Sequence, residues 1–380
     1  MAIRMARRVF YLSILNSSLI TRRTAGLGIS QLLAASGTDH GSTDPLTERA
    51  HALMKAKFEE QKFMGVAVIA VNGSPIFEKS FGWADLEWEV PQTPLAIFRL
   101  GALTKTFTAA AILQLAQKGS LQIEGAIGSH VQDLPKAWQH ITLHQLMTHS
   151  SGIANYTSQP GFWSQVVMKP NTPQELVGVV KDKPLEFEPG KRWGYSNTNY
   201  VLLGMVIEQV SGMKYCDYLQ QNILGPLDLK NTGYDLGRAV LKHRARGYAT
   251  SSGGIVNAGY IDMSVPYSAS GVHSTVNDML RWDQALYTDK LLSKTWRDRM
   301  FSGHVTTPVN NSSYGYGWFI GKQNGRTLHT HEGNFPGFAT MMSRYPESRT
   351  CIILLSNLAT PHIGKMGDDL ADIVFGVKGA

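Results

Sequence analysis

The residues best placed to do chemistry in this chain fall in three short groups: Ala102-Leu103-Thr104-Lys105, Tyr195-Ser196-Asn197, and His331-Glu332-Gly333 followed by Asn334. Lys105 stands near the first turn of a predicted helix within FRLGALTKTFTAAAILQLAQKG (98–119). The residue three before it lies on the same helix face, one turn away. An acyl-transfer enzyme would want a serine there, because a hydroxyl is a poor nucleophile at neutral pH and needs an adjacent base. The chain has Ala102 instead. Taken singly each group is weak, and a triplet such as Tyr195-Ser196-Asn197 recurs by chance.

The elements that must carry these groups follow from periodicity and turn chemistry. LTERAHALMKAKFEEQKF (46–63) repeats its apolar residues at helical spacing. In GVAVIAVNGSPIFEKSFGWADL, Asn72-Gly73 separates two β-rich runs, and Asn-Gly readily takes the positive φ of a tight turn, so an antiparallel hairpin is expected. The helix bearing Lys105 should run from 102 to 118 and stop at Gly119. Between 121 and 259 short helices and irregular loops are expected, clearest in ITLHQLMTHSSG, NTPQELVGVVKD and NTNYVLLGMVIEQVSG. The last of these should begin near Asn199, after a turn that carries Tyr195. STVNDMLRWDQALY reads as a further helix behind a Ser or Thr cap. Strands return in YGYGWFIGK, RTLHTHE, GFATMMSRYPE and TCIILLSN, and GKMGDDLADIVFGV closes the chain with a helix. The expected fold class is therefore α/β (α+β): a sheet domain from 46–120 plus 260–380, a helical insertion at 121–259, and the site between them.

Composition bounds the function. With 380 residues, 43% hydrophobic and 17% charged, the chain is ordinary globular protein. Part of its net charge of +7 comes from Arg4, Arg7, Arg8, Arg22 and Arg23, all ahead of the first acidic residue, Asp39, so no nucleic-acid surface is expected. Cys216 and Cys351 sit in apolar settings without partners at metal-ligand spacing and read as buried small hydrophobes. The 12 histidines include no HExxH, so neither a metal nor a cofactor is expected. Residues 1–38 read as a targeting leader. TRRTAGLGISQLLAASG resembles a twin-arginine export signal, which places the protein in the periplasm or outside; a mitochondrial presequence is the alternative. No apolar run of the leader reaches the roughly 18 residues of a membrane-spanning helix, so no stable span is expected.

In order and spacing, with their flanks, the three groups resemble the serine β-lactamase and penicillin-binding-protein superfamily, most closely its class C-like branch, which also contains D,D-peptidases, aminopeptidases and family VIII esterases. The resemblance extends over roughly 48–375. GWADLEWEVPQTPLAIFRLG and TFTAAAILQLAQKG look like the family's segments around the nucleophile, and ITLHQLMTHSSGI like its LLTHTSG signature. FEPGKRWGYSNTNYVLLGMVIEQVSG, SGVHSTVNDMLRWDQAL and YGYGWFI also have counterparts. The resemblance implies a β-lactamase/transpeptidase-like fold, an antiparallel sheet flanked by N- and C-terminal helices, and a serine that attacks an ester or amide carbonyl to form an acyl-enzyme. It gives Lys105 and Tyr195 acid/base roles, Asn197 the orientation of the lysine and a bond to the substrate amide, and His331 and Gly333 the strand beside the substrate. The N–H groups of residues 102 and 334 would form the oxyanion hole. His149, in the packing signature, and His329 are expected to be structural, and Glu332 receives no role.

Ala102 departs from this pattern, since alanine has no oxygen to attack with. Thr104 and Thr106 lie about 100° to either side of Lys105 on a helix, not one turn below it, so neither is expected to substitute. The expectation is an active hydrolase scaffold impaired at one position, acting on a small-molecule or peptide substrate. Since His331 stands where lysine is common, esterase or peptidase activity ranks above antibiotic hydrolysis. The alternatives are a non-catalytic homologue that binds peptide or peptidoglycan-like ligands and a structural, filament-forming relative. Oligomeric state is left open.

Overall fold

Residues 44–377 are described by a computed structural model, so the leader falls outside the described residues. Helix α1 (Pro45–Glu59) starts with Asp44 accepting from the Leu46 N–H and Pro45 in the first turn, where a missing N–H costs nothing. It ends earlier than its apolar spacing predicts. The N–H groups of Lys62 and Phe63 fold back onto the Lys57 carbonyl and turn the chain into the sheet.

Strands β1 (Gly65–Val71) and β2 (Ser74–Phe81) form the predicted hairpin, with φ of 52° at Asn72 and 77° at Gly73. After the helical middle come β3 (Val305–Thr306), β4 (Ser313–Tyr314), β5 (Phe319–Gln323), β6 (Arg326–Phe335), β7 (Phe338–Tyr345) and β8 (Thr350–Ser356). They join the hairpin in one 8-stranded sheet, in the order β3-β4-β5-β6-β7-β8-β1-β2. Every neighbouring pair is antiparallel. GVAVIAV and TCIILLS are continuous apolar runs because β1 and β8 lie mid-sheet with both faces covered. Val66, Val68 and Ala70 face one core and Ala67 and Ile69 the other, the period-2 alternation of a strand. Each such branched side chain contributes about 1.5–3 kcal/mol by leaving water.

Helix α5 (Ile363–Val374) covers the second core beside α1, burying Ile363, Met366, Gly367, Leu370 and Ala371 along a single stripe. The opposite face packs on the layer that holds α2 (Thr104–Gln117), a helix buried from Thr104 to Ala116, its polar Thr104, Lys105, Thr106 and Thr108 included. Helices α3 (Asn197–Ser211) and α4 (Val276–Ala285) complete that layer. A 3-10 turn, Gly101–Leu103, replaces the first turn of helix expected at 102.

The middle of the chain is less helical than its sequence implies. Tyr248–Ser251 and Gly254–Asn257 form a hairpin that pairs in parallel with Leu358–Ala359. Its Ser-Gly-Gly turn sits between runs too short to show alternation. Cys351 is buried as expected, whereas Cys216 is half-exposed on a short helix beside Asp217. Among the described residues no helix is long and apolar enough to cross a membrane.

Candidate active site

Lys105 is fully buried in α2. Taking an ammonium out of water is costly unless it is paired with an opposite charge, and its hydrogen-bond partners are neutral. Nζ donates to the Asn197 Oδ1 at 2.8 Å and to the Ala269 carbonyl at 3.0 Å. The rings of Tyr195 and Tyr200 lie 4.9 and 5.3 Å from Nζ. Burial therefore holds the lysine well below its ordinary range. A neutral amine has two N–H groups and one lone pair. The two acceptors account for both N–H groups, which leaves the lone pair to take a proton.

Asn197 opens α3, two residues earlier than predicted, and three bonds fix it. Its backbone N–H donates to Asn155 Oδ1 at 3.0 Å, and its Nδ2 donates to Thr157 Oγ1 at 3.1 Å. With a hydroxyl on the nitrogen side, the amide oxygen is turned toward Lys105. Tyr195, on the turn just before, is half-buried, and burial raises its phenol above the ordinary range, so its hydroxyl keeps its proton.

The third group lies on β6. That strand pairs with β5 only from Arg326 to Thr330; from His331 to Phe335 it pairs with β7 alone. The edge so freed runs against the turn that carries residue 102. A Cβ at Gly333 would stand 1.9 Å from the Leu100 carbonyl oxygen and 2.4 Å from Thr340 Oγ1, so only glycine fits. Gly101 has φ of 56° and packs on the Asn334 backbone, and Thr340 Oγ1 donates to the Leu100 carbonyl at 2.7 Å. The strand edge and the turn are thus clamped at backbone distance. Ala102 is half-exposed in that turn and Asn334 exposed on the strand, whereas Lys105 below them is sealed from water.

His331 is buried with both ring nitrogens engaged. Nδ1 lies 2.7 Å from the Glu332 carbonyl, which can only accept, so Nδ1 carries the proton and Nε2 accepts from the Tyr314 hydroxyl at 2.9 Å. Burial pushes its pKa down to about 3. It is a neutral group on the site's wall.

These three groups, far apart in sequence, lie together in the fold, and the sequence profile of the family described as Beta-lactamase matches residues 50–374. The chain belongs to the beta-lactamase family. A penicillin-binding protein of Bacillus subtilis (strain 168) is 31% identical over 316 residues, covering 79% of this chain and 69% of the relative. The octameric penicillin-binding protein homologue from Pyrococcus abyssi superposes with a TM-score of 0.77 at 27% identity, over 87% of this chain and 77% of that one. D-amino acid amidase from Ochrobactrum anthropi SV3 reaches a TM-score of 0.78 over 88% of this chain and 100% of that one. At 24% identity it shares the fold.

Beta-lactamase family members are serine hydrolases, and position 102 of this chain is alanine. Its nearby hydroxyls are tied into structure. Thr104 Oγ1 accepts from the Val272 N–H, Thr106 Oγ1 donates to the Leu103 carbonyl, and Ser151 Oγ donates to Asn199 Oδ1. Ser150 Oγ meets Thr148 Oγ1 at 2.9 Å. The sequence reading missed Asn155, Thr157, Ala269 and Tyr314, all of which hold a site residue. Asn155 and Thr157 follow the HSSG signature in IANYTS, and polar residues inside an otherwise buried loop are the one available signal. Among the described residues no three His, Cys, Asp or Glu side chains gather as metal ligands would.

Proposed function

We propose that this scaffold is a serine hydrolase that cleaves an ester or amide bond through an acyl-enzyme, and that Ala102 blocks it at the first step. The observation that carries this reading is the buried Lys105, held by Asn197 Oδ1 and the Ala269 carbonyl with its lone pair unspent, one turn from a half-exposed residue 102. With serine at 102, Oγ attacks the carbonyl carbon while its proton passes to Lys105 Nζ. The resulting oxyanion is stabilised by the N–H groups of residues 102 and 334. Collapse expels the leaving group, which takes a proton relayed by Tyr195. Water then attacks the acyl-enzyme by the same route in reverse.

A neutral His331 supports esters and peptides over β-lactam antibiotics, because it offers no positive charge to a carboxylate-bearing substrate. A second reading rests on Ala102 itself. A site that keeps its shape and loses its nucleophile binds a peptide or peptidoglycan-like ligand without turning it over.

Ala102→Ser decides between them. Turnover of p-nitrophenyl esters, D-amino-acid peptides and cephalosporins is measured beside the unaltered chain, with mass spectrometry of covalent label. The expected result is turnover only with serine, with label at residue 102 and esters or peptides ahead of cephalosporins. No gain on any substrate supports the non-catalytic binder. Turnover by the unaltered chain that is lost in Lys105→Ala refutes the assignment of residue 102.

A further inference from the structure

Tyr195 sits on an irregular segment, and neither a helix nor a strand fixes it there. What holds it is one residue outside the three motif groups. The Gly194 N–H donates to the His149 carbonyl at 2.8 Å, and the Ser196 N–H donates to His149 Nδ1 at 3.2 Å. The residues on both sides of Tyr195 are thus bonded to one histidine, through its backbone on one side and its ring on the other. The same ring lies 4.4 Å from the Tyr195 ring, centroid to centroid, and is backed by Tyr200 at 5.1 Å and Tyr314 at 4.9 Å.

We infer that His149 is a positioning residue for Tyr195, setting the height and tilt of the phenol over Lys105; the inference rests on the acyl-transfer reading of the site. Three observations carry it besides the bracket. His149 is completely buried, so water does not compete for the Ser196 N–H. Nδ1 accepts that N–H, so it has no proton and the ring is neutral; burial keeps it so. His149 also has φ of 57°, a conformation that non-glycine residues rarely take and that persists where the surroundings enforce it. The adjoining loop is pinned to the same segment, since the Gly190 N–H donates to the Ser150 carbonyl and the Glu186 N–H to the Gly152 carbonyl. A side chain kept in an unfavourable backbone state, to present one lone pair to the turn before Asn197, acts through Tyr195. It does not touch substrate.

The test uses the full chain with Ala102→Ser, adding His149→Asn, His149→Gly or His149→Phe. Asparagine tolerates positive φ and places an acceptor near the former Nδ1. Glycine tolerates the backbone but accepts nothing, and phenylalanine fills the space but accepts nothing. Loss of alignment should lower kcat about 100-fold in the Gly and Phe proteins, with KM within about threefold of the parent. His149→Asn should stay within about tenfold, and added imidazole should raise turnover by His149→Gly. A Phe protein as fast as its parent overturns the inference, as does a folded Asn protein as slow as the Phe one. An amide spectrum gives a readout independent of turnover: the Ser196 N–H should lose its hydrogen-bond shift in His149→Phe and keep it in His149→Asn. If Ala102→Ser is inactive, the acyl-transfer reading fails, and the Ser196 amide still decides whether His149 holds the turn.

Discussion

Replacing Lys105 by methionine should remove a pH dependence of stability, and that loss exposes the state of the buried amine. The native lysine is held well below its ordinary range by burial, whereas in the unfolded chain it titrates near 10.4. Between those two values the unfolded chain binds one more proton than the native protein. Unfolding then takes up a proton, and the native state loses stability as pH falls, by about 1.4 kcal/mol per pH unit. Methionine has no such term. It leaves Asn197 Oδ1 and the Ala269 carbonyl without their donor, at about 1–3 kcal/mol each, and that cost does not depend on pH. Near pH 10 the lysine protein should therefore be the more stable. The difference should swing toward methionine by about 2.7 kcal/mol over two pH units, until the native pKa is reached and the curve flattens. Urea unfolding of both proteins from pH 10 to pH 6, with the difference plotted against pH, measures this directly. A difference that stays flat over that range would mean the lysine is charged inside the fold. The lone pair on which the proposed chemistry depends would then not exist.

Other outcomes follow from the same geometry. Asn197→Asp puts a carboxylate where the amide oxygen lies 2.8 Å from Nζ, so the lysine should regain its charge; the pH slope should vanish, and with Ala102→Ser turnover at pH 7 should fall about 100-fold. Gly333→Ala drives a methyl against the Leu100 carbonyl at 1.9 Å, and should cost about 3 kcal/mol by denaturant unfolding. An unchanged midpoint would show that strand and turn are not clamped. On the sheet, Arg344 Nε donates to Asp283 Oδ1 at 2.6 Å with both side chains buried, so Asp283→Ala should cost about 3–5 kcal/mol in the same assay by stranding the guanidinium.

Local rules carried the fold a long way. Asn72-Gly73 has one common use between two β-rich runs, and the stripe from Ile363 to Ala371 has one stable orientation, so these elements were legible before any contact was known. Misreadings occurred where the deciding partner is remote. The hairpin at 248–257 is held by pairing with residues 358–359, more than a hundred positions away. The 3-10 turn at Gly101 is shaped by backbone contact with Asn334 rather than by helix propensity.

The sequence by itself determined that a lysine stands one helical turn after position 102, and that alanine occupies that position. Spacing along a helix is a property of the chain alone. It also determined the family, because the order and flanks of three motifs survive without coordinates. Tertiary structure alone decided the chemistry of those residues. Lys105 is held well below its ordinary range rather than left as a solvated cation, because α2 buries it completely and its neighbours in space, Asn197 and Ala269, are neutral acceptors. His331 is neutral because it is buried, with Tyr314 and the Glu332 carbonyl engaging its two nitrogens. Protonation depends on water, charge and hydrogen bonds within a few ångströms, and those distances are set by packing between segments far apart in the chain.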